Sequence, residues 1–326
     1  MIIVTGATGF IGSNIVADLN ARGRTDLLLV DDLGTQGKWK NIAKRRFVDL
    51  VDYRQLDTLL PTLTQADAVF HMGANSSTTS TDGDEILRVN LHATMAWWKW
   101  CTQTRTPFIY ASSAATYGDG QQGFDDNQAP DALDKLAPLN LYGWSKHQFD
   151  KWAVERAAEG KAPPQWAGLK FFNVYGPNEY HKGDMRSLVA KNTELIARGE
   201  TIRLFKSYKE GFADGQQLRD FVYVKDCVAV MLWLMDHPAV SGVFNLGTGQ
   251  ARSFVDLMQA IGKSLGKPVN IDFVEMPESI RPNYQYFTEA CMSKLKAAGY
   301  GAAFHSLEDG THDYVSAHLT KADPYR

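Results

Sequence analysis

The sequence predicts an α/β protein built on a doubly wound parallel sheet, together with a smaller α/β domain. Two observations carry this prediction. Short apolar runs alternate with segments of helical periodicity along most of the chain. The first apolar run, 1–5, leads directly into a glycine-rich turn, a helix and a second apolar run, 27–30, and such a unit opens a dinucleotide-binding, Rossmann-type fold.

The predicted elements follow one another in a regular order. Because 221–246 resembles a continuation of the parallel sheet, we expect the Rossmann domain to comprise 1–172 and 219–247, and an interleaved substrate-binding domain to comprise 173–218 and 248–326. The predicted strands are 1–5, 27–30, 47–48, 68–70, 108–110, 169–172, 203–205, 221–224, 243–246 and 269–274, and the predicted helices are 11–19, 53–63, 86–100, 142–158, 187–197, 227–235, 254–265, 290–298 and 307–318.

Composition and charge exclude several classes of protein. The net charge of −3 comes without a basic block, so we expect no nucleic-acid partner. Three cysteines without a CxxC pair argue against a disulfide scaffold. No apolar run reaches the length of a membrane span and no signal peptide is apparent, so we expect a cytoplasmic protein without a membrane partner. The histidines show no metal-ligand spacing, so we predict no metal.

The first chemistry-bearing motif is the glycine loop formed by Gly6, Gly9 and Gly12. Glycine permits a tight turn and a close approach of the backbone to a pyrophosphate, and the following helix directs free N–H groups at it. Asp31, which follows the second strand, is expected to accept a hydrogen bond from an adenine ribose and so favours NAD. Lys38 would instead meet a 2′-phosphate and favours NADP, so the sequence leaves this choice open.

The second motif is Tyr142-x-x-x-Lys146. On a helix this spacing puts both side chains on one face, about one turn apart. A lysine ammonium held near a tyrosine is expected to lower the pKa of the phenol, so that the pair can move a proton while hydride passes to a nicotinamide. Ser113, at the end of the strand that begins at Phe108, is expected to hold the reacting oxygen of the substrate beside Tyr142.

Together these motifs resemble the extended short-chain dehydrogenase/reductase superfamily, which includes nucleotide-sugar epimerases and dehydratases. Three further stretches strengthen the resemblance, namely Lys170–Pro177, Arg219–Asp226 and Phe244–Gly249. Within the superfamily the chain is most similar to the ADP-L-glycero-D-manno-heptose 6-epimerases. The stretches that carry this similarity are 76–79, 82–83, 111–118, 140–146, 173–177, 181–183, 284–285, 287–288, 296–300 and 308–310.

The resemblance implies an isomerase for the heptose of the lipopolysaccharide inner core. It would oxidise C6″ of an ADP-linked heptose to a ketone and return the hydride to either face. The resemblance also implies one tightly bound NADP per subunit, with NAD possible, and a homo-oligomer. The implied catalytic residues are Tyr142, Lys182, Ser113 and Lys146; the implied cofactor-binding residues are Gly6, Gly9, Phe10, Ile11, Gly12, Asp31, Asp32, Lys38, Met72, Gly73, Ala74, Asn75, Ser76, Asn90, Lys146 and Val174; and the implied substrate-binding residues are Ser113, Asn173, Lys182, Asp184, Phe205, Lys206, Ser207, Arg219 and Tyr284.

The chain departs from the family pattern at a few positions of the expected pocket. The family usually has arginine where Lys170 stands and tyrosine where Trp144 stands; Met72, Asn75 and Asp184 also depart from it.

Two alternatives stay open beside the heptose epimerase. One is another nucleotide-sugar epimerase or a dehydratase, although a dehydratase would carry an acidic pair beside the active serine, where this chain has Ala114 and Ala115. The other is an inactive dinucleotide-binding regulator, which would have lost Tyr142, Lys146 or Ser113.

Overall fold

A computed structural model describes residues 1–278, 280–281 and 284–326 of the protein. Its centre is a seven-stranded sheet in the order β3-β2-β1-β4-β5-β6-β10, in which every neighbouring pair is parallel. The strands are β1 (Ile2–Thr5), β2 (Leu27–Val30), β3 (Asp49–Val51), β4 (Ala68–His71), β5 (Phe108–Ser113), β6 (Trp166–Phe171), β7 (Asn173–Tyr175), β8 (Ile202–Phe205), β9 (Leu218–Tyr223), β10 (Gly242–Leu246), β11 (Ala251–Ser253) and β12 (Ile271–Val274).

Helices connect the strands and cover both faces of the central sheet. The α-helices are α1 (Phe10–Ala21), α2 (Leu56–Leu59), α3 (Gly83–Ile86), α4 (Ala93–Thr104), α5 (Pro130–Leu133), α6 (Leu141–Ala158), α7 (Leu188–Ala197), α8 (Val224–Asp236), α9 (Phe254–Leu265), α10 (Ser293–Ala297) and α11 (Leu307–Tyr314). Short 3-10 helices lie at Lys38–Asn41, Tyr53–Gln55, Leu60–Thr62, Ala114–Tyr117 and Tyr180–Met185, and π-helical turns at Leu87–His92 and Val315–Leu319.

The two faces of the central sheet have separate apolar cores. One core joins α1 and α8 to the sheet through side chains such as Ile15 and Met231. The other joins α4 and α6 to it through the indoles of Trp97 and Trp98 and the ring of Phe149. Because both faces are covered, the central strands read as continuous apolar runs and not as an alternation, which is why the sequence identifies them.

A smaller unit packs beside the carboxyl ends of the central strands. It holds a three-stranded sheet in the order β11-β9-β7 and a two-stranded sheet of β12 and β8, with a third core that draws on α7, α9 and α11. The prediction that the strand at 221–224 continues the main sheet is therefore wrong for β9. β9 pairs with β7 and β11, whereas β10 does join the main sheet, beside β6.

Other predicted elements differ from the structure in their bounds. The third strand is Asp49–Val51, not 47–48. The helix expected over 53–63 is divided into short turns, and Pro61 lies in the last of them. The helix expected over 290–298 begins only at Ser293, because the backbone N–H groups of Ala290 and Cys291 donate to Asp220 and to the carbonyl of Phe124. In the part of the chain that the structure describes, no helix is long and apolar enough to cross a membrane.

Candidate active site

A cavity of about 600 Å³ opens where β1, β4, β5 and β6 end, between the central sheet and the smaller unit. This is the place where ligands bind in open parallel sheets, and the volume suits a small organic ligand or part of a larger one. It brings together most of the residues expected to bind a cofactor: Gly6, Gly9, Phe10, Ile11, Gly12, Asp31, Lys38, Met72, Gly73, Ala74, Ser76, Lys146 and Val174.

The glycine loop fits a dinucleotide pyrophosphate. Gly6 has a φ of +62°, in the left-handed region, and a Cβ there would lie 2.7 Å from the backbone nitrogen of Gly73. A Cβ on Gly12 would lie 2.1 Å from the carbonyl oxygen of Gly6, so α1 can approach the loop only with glycine at that position. The first turn of α1 contains no acidic residue, and its N–H groups lack partners within the helix, which leaves a positive helix end beside the cavity.

At the end of β2 the carboxylates are already engaged. Asp31 accepts from the backbone N–H and the hydroxyl of Thr8, at 2.8 and 2.6 Å, and from the backbone N–H of Asp32 and the amine of Lys38, at 2.8 and 2.9 Å. A carboxylate has about four acceptor positions, so a ribose hydroxyl would have to displace one of these donors. The expectation that Asp31 simply accepts from a ribose is not met by this arrangement.

Lys38, which lines this end of the cavity, and Arg54 are both ion-paired with the carboxylates that follow β2. The amine of Lys38 also lies 2.8 Å from Asp32, and the guanidinium of Arg54 contacts the other oxygen of Asp32 at 2.9 Å. Burial lowers the pKa of Lys38, but the carboxylates of Asp31 and Asp32 outweigh it, so the pKa is raised and the amine stays charged. Asp32 and Asn75 line an adjoining cavity that shares Lys38 with the first.

A buried histidine holds the loop that follows β4. His71 Nε2 lies 2.9 Å from the hydroxyl of Thr94, and Nδ1 lies 2.7 Å from the hydroxyl of Thr5. The Thr94 hydroxyl donates to the carbonyl of Asn90, so the assigned arrangement has Nε2 protonated. Burial and the charge of Lys146 lower the pKa of His71 to about 3, so the ring is neutral.

Asn90 does not line the cavity but supports residues that do. Its amide pairs with both backbone groups of Asn75, at 2.8 and 3.0 Å, and donates to the hydroxyl of Ser145 at 3.0 Å. Asn90 lies in the π-helical turn Leu87–His92, between α3 and α4. Such turns occur frequently at functional sites, and this one joins the loop after β4 to the helix that carries Tyr142.

The predicted pair of Tyr142 and Lys146 lies in the first two turns of α6, as its spacing indicates. The helix begins with a cap, in which Asn140 accepts from the backbone N–H of Gly143 at 2.8 Å. A Cβ on Gly143 would lie 2.7 Å from the carbonyl oxygen of Ala115, so this glycine lets α6 pack against the turn after Ser113. Tyr142, Lys146 and Ser113 consequently all line the cavity.

The electrostatics of this pair differ from the expectation. Burial lowers the pKa of Lys146 to about 8, opposed by the carboxylate of Asp150, so the amine is still mostly protonated at neutral pH. The pKa of Tyr142, however, is raised. Burial is the largest cause, Asp150 adds to it, and a hydrogen bond with the Ser113 hydroxyl acts in the opposite direction. The expectation that Lys146 lowers this pKa is not met, because desolvation of the phenolate dominates.

Behind the pair lies a buried polar network that sequence reasoning missed. The Asp150 carboxylate, wholly buried, accepts from the hydroxyls of Tyr110 and Ser112 at 3.0 and 2.6 Å and lies 3.3 Å from the amine of Lys170. Lys170 also donates to the hydroxyl of Thr116 at 2.6 Å. Asp150 stands one helical turn after Lys146, so repeating the spacing of the Tyr142 pair along α6 would have identified it.

Lys182 reaches the same cavity from the other side. It lies in the 3-10 turn Tyr180–Met185, in the loop between β7 and α7, and its amine is 5.3 Å from the centre of the Phe10 ring. Burial lowers the pKa of Lys182, opposed by the charge of Glu179. Among the described residues no side chain or carbonyl accepts a hydrogen bond from this amine, so it is available to a ligand.

The residues expected to bind the substrate divide into two groups. Ser113, Asn173 and Lys182 line the first cavity. Arg219 borders it: its guanidinium lies 5.6 Å from the ring of Phe254, a lining residue, and 5.3 Å from that of Tyr284, which lines a second cavity. The remaining residues stand apart from the first cavity: Phe205 packs edge-on against Tyr284, Lys206 pairs with Glu275, Ser207 accepts from the backbone of Lys209, and Asp184 is exposed.

These features define a class of protein: an enzyme with a dinucleotide loop and a tyrosine–lysine pair that acts on a bound alcohol or carbonyl. A model of the NAD dependent epimerase/dehydratase family matches residues 2–247, and the chain belongs to that family. The resemblance and the α/β fold predicted from sequence are therefore confirmed, and the family name identifies the cofactor as a nicotinamide dinucleotide.

The chain is also similar to individual proteins of known name. The chain is 48% identical to the ADP-L-glycero-D-manno-heptose-6-epimerase of Fusobacterium nucleatum over the whole length of both. The crystal structure of the Helicobacter pylori ADP-L-glycero-D-manno-heptose-6-epimerase is similar with a TM-score of 0.77 and 26% identity, over 97% of this chain and 95% of that one. UDP-glucose 4-epimerase of Thermus thermophilus, in complex with NAD, gives a TM-score of 0.76 and 25% identity over 98% and 99%.

Proposed function

We propose that this protein inverts C6″ of ADP-D-glycero-D-manno-heptose to give the L-glycero form, for the heptose of the lipopolysaccharide inner core. One observation carries the proposal beyond the family: Tyr142 and Lys182 project from two separate elements into one cavity that also contains the glycine loop. Inversion requires a proton-transferring group for each face of the reacting carbon, and two such groups on different elements meet that requirement.

The chain's own residues would divide the proton transfers between them. A bound nicotinamide supplies the acceptance and return of hydride and carries a positive charge when oxidised. Ser113 and Tyr142 hold the 6″ oxygen in one orientation, in which Tyr142 takes or gives its proton. Lys146 stays mostly charged in the same cavity.

Lys182 would serve the oxygen in the opposite orientation. Its amine lacks an acceptor among the described residues and its pKa is lowered by burial, so it can both give and take a proton. After oxidation at C6″ the ketone turns in the cavity, and the second face is presented to the returning hydride. Asn173 and Arg219 would bind the substrate, and Phe205, Lys206, Ser207 and Tyr284 would form the side nearest its nucleotide.

We also propose NADP as the cofactor, held tightly and regenerated in each cycle. Two cations, Lys38 and Arg54, surround Asp32 at the end of β2. A 2′-phosphate arriving there would exchange the carboxylate for a stronger anionic partner of both cations. NAD remains the alternative, and the nucleotide released by denaturing the purified protein, identified by chromatography and its phosphate content, decides between them.

The alternatives fit less well. A dehydratase needs a carboxylic acid at the reacting carbon, and among the described residues that line the main cavity the one acid is Asp31, at the cofactor end. An inactive regulator would not need Tyr142, Lys146 and Ser113 to line one cavity together with the glycine loop. Another nucleotide-sugar epimerase would use the same groups, so only the identity of the substrate distinguishes that alternative from the proposed function.

The test is direct. ADP-D-glycero-D-manno-heptose is incubated with the protein and followed by NMR at C6″, with UDP-glucose and UDP-glucuronic acid as competing candidates. We expect an equilibrium mixture of the two heptose epimers and no change in the UDP-sugars. Inversion of a UDP-sugar without conversion of the heptose would replace the proposed substrate by another of the same class, and no reaction with any of them would support the inactive regulator.

A further inference from the structure

Glu179 is a charged side chain with no exposed surface, at the base of the loop that carries Lys182. Its carboxylate accepts from the backbone N–H and the hydroxyl of Ser187, the latter at 2.6 Å, and from the backbone N–H of Gly176 at 3.4 Å. Gly176 precedes the loop and Ser187 follows it, so a single carboxylate closes the loop at both ends.

The base of this loop is also fastened to the helix that follows the glycine loop. The amide of Asn178 donates to the hydroxyl of Ser13 at 3.1 Å, and the amide of Asn14 donates to the carbonyl of Pro177 at 2.9 Å. The backbone N–H of Lys182 donates to the carbonyl of Glu179 at 3.0 Å. Lys182 is thus one short turn away from residues that are hydrogen-bonded to α1.

We propose that Glu179 is a positioning residue for Lys182: its buried carboxylate closes the loop so that the Lys182 amine stands in the cavity over Phe10, and its charge acts on that amine. The proposal rests on the assignment of Lys182 as the second proton-transferring group. A helix cap alone would not require an acid here, because Ser187 already caps α7 through Ala190, and burying a carboxylate costs free energy that an amide would avoid.

The titratable groups around Glu179 come from two elements. Lys182 and Tyr180 belong to the loop itself, and Tyr314 of α11 lies close to the carboxylate without reaching hydrogen-bond geometry. Burial raises the pKa of Glu179, opposed by Ser187 and by Lys182, and the carboxylate in turn opposes the fall in the pKa of Lys182. His181 is neutral beside Lys182, since burial lowers its pKa to about 4.

The charge and the reach of Glu179 can be separated by two substitutions. Glu179→Gln keeps the length and removes the charge, whereas Glu179→Asp keeps the charge and shortens the side chain. Glu194→Gln, on an exposed part of α7, is the matched control. Protein with ¹³C at the lysine Cε atoms is titrated by NMR, and the Lys182 resonance is identified by its absence from Lys182→Met.

In Glu179→Gln we expect the pKa of Lys182 to fall. In Glu179→Asp we expect the pKa of Lys182 to change little and kcat to drop by about ten-fold or more, because a displaced acid or base transfers protons poorly. Glu194→Gln should change neither. An unchanged pKa of Lys182 in Glu179→Gln, or wild-type kcat in Glu179→Asp, would overturn the proposal. The titration needs no substrate, so a wrong substrate would leave it intact, whereas normal turnover in Lys182→Met would break the proposed function instead.

Discussion

The two sides of the cavity deliver their proton-transferring groups in different ways. Tyr142 stands on the 18-residue helix α6, which is fixed to β5 and β6 by the buried Asp150–Lys170 network. Lys182 stands on a six-residue 3-10 turn whose residues Gly183, Asp184 and Met185 are exposed. A buried carboxylate thus lies behind each group, Asp150 on the helix side and Glu179 on the loop side. The two sides differ in the element that presents the group, which is a long packed helix for Tyr142 and a short turn with exposed residues for Lys182.

The largest effects are expected from removing either group. Tyr142→Phe and Lys182→Met should each lower turnover by about 10² to 10⁴, the usual contribution of an acid or base, with cofactor content unchanged. Turnover is measured by NMR of the heptose, and cofactor content by absorbance.

A variant that lacks both groups tests whether Tyr142 and Lys182 act in the same catalytic cycle. If both groups serve one cycle, Tyr142→Phe/Lys182→Met should lose little more than the worse single variant. Independent losses that multiply would mean that the two sides of the cavity act in separate reactions.

The helix side should depend on its buried ion pair for stability. Lys170→Met leaves the Asp150 carboxylate buried without its cation, and we expect a loss of about 3 to 5 kcal/mol in the free energy of unfolding, measured with urea. Lys99→Met, at an exposed position of α4, should change it by less than about 0.5 kcal/mol. A loss for Lys170→Met as small as for Lys99→Met would show that packing alone holds α6.

The charge of Lys146 on α6 should lower the free energy of unfolding. The pKa of Lys146 falls from 10.5 to about 8 in the folded protein. Below pH 8 the lysine is charged in both states, but the charge is less favourable in the folded protein than in the unfolded chain. The native state therefore binds fewer protons than the unfolded state between these pH values, and stability should rise across that window by up to about 3 kcal/mol.

This effect is tested by comparing the free energy of unfolding of the wild type and of Lys146→Met as a function of pH. We expect the variant to be the more stable protein below pH 8 and its advantage to shrink as the pH approaches 10.5. An advantage that stays constant across this range would mean that Lys146 titrates normally in the fold.

Two glycine substitutions, one on α6 and one on the loop that carries Lys182, should have the smallest effects on stability and compare the two sides directly. In Gly143→Ala the new Cβ would meet the carbonyl of Ala115 at 2.7 Å, so α6 must shift, and we expect a loss of about 1 to 3 kcal/mol together with weaker turnover. In Gly183→Ala the new Cβ meets nothing within 4 Å, but φ is +53°, so the cost is about 1 kcal/mol and is confined to the loop.

Unfolding curves and kcat of both variants test this contrast. Equal losses of global stability would contradict the difference between a glycine in close contact on the helix side and a glycine with open space on the loop side.

The sequence predicts the central part of this molecule well because its signals are local. Short apolar runs bounded by glycine or polar residues identify β1, β2, β4 and β5, and the spacing of Tyr142 and Lys146 identifies their shared face on α6. Spacing also puts Asp150 one turn after Lys146, and His71 ends β4, but what these two residues and Glu179 do could not be recognised in this way. Their importance comes from burial and from partners far along the chain, such as Lys170 for Asp150 and Thr5 for His71.

The sheet membership of β9 was also beyond local signals. Its apolar residues look the same whether its neighbour is β10 or β7, and only the tertiary pairing with Asn173–Tyr175 decides the sheet. The raised pKa of Tyr142 has a similar origin, since spacing along a helix says nothing about how deeply the phenol is desolvated.

The π-helical turn at Leu87–His92 has a consequence for how such chains diverge. A π turn holds one residue more than an α turn, so it behaves as a single-residue insertion stored within a helix. Removing one residue there would restore regular winding and rotate Asn90 by about 100° relative to α4, away from Asn75 and Ser145. A one-residue gap at this position, which an alignment would treat as harmless, would therefore separate the cofactor loop from the catalytic helix.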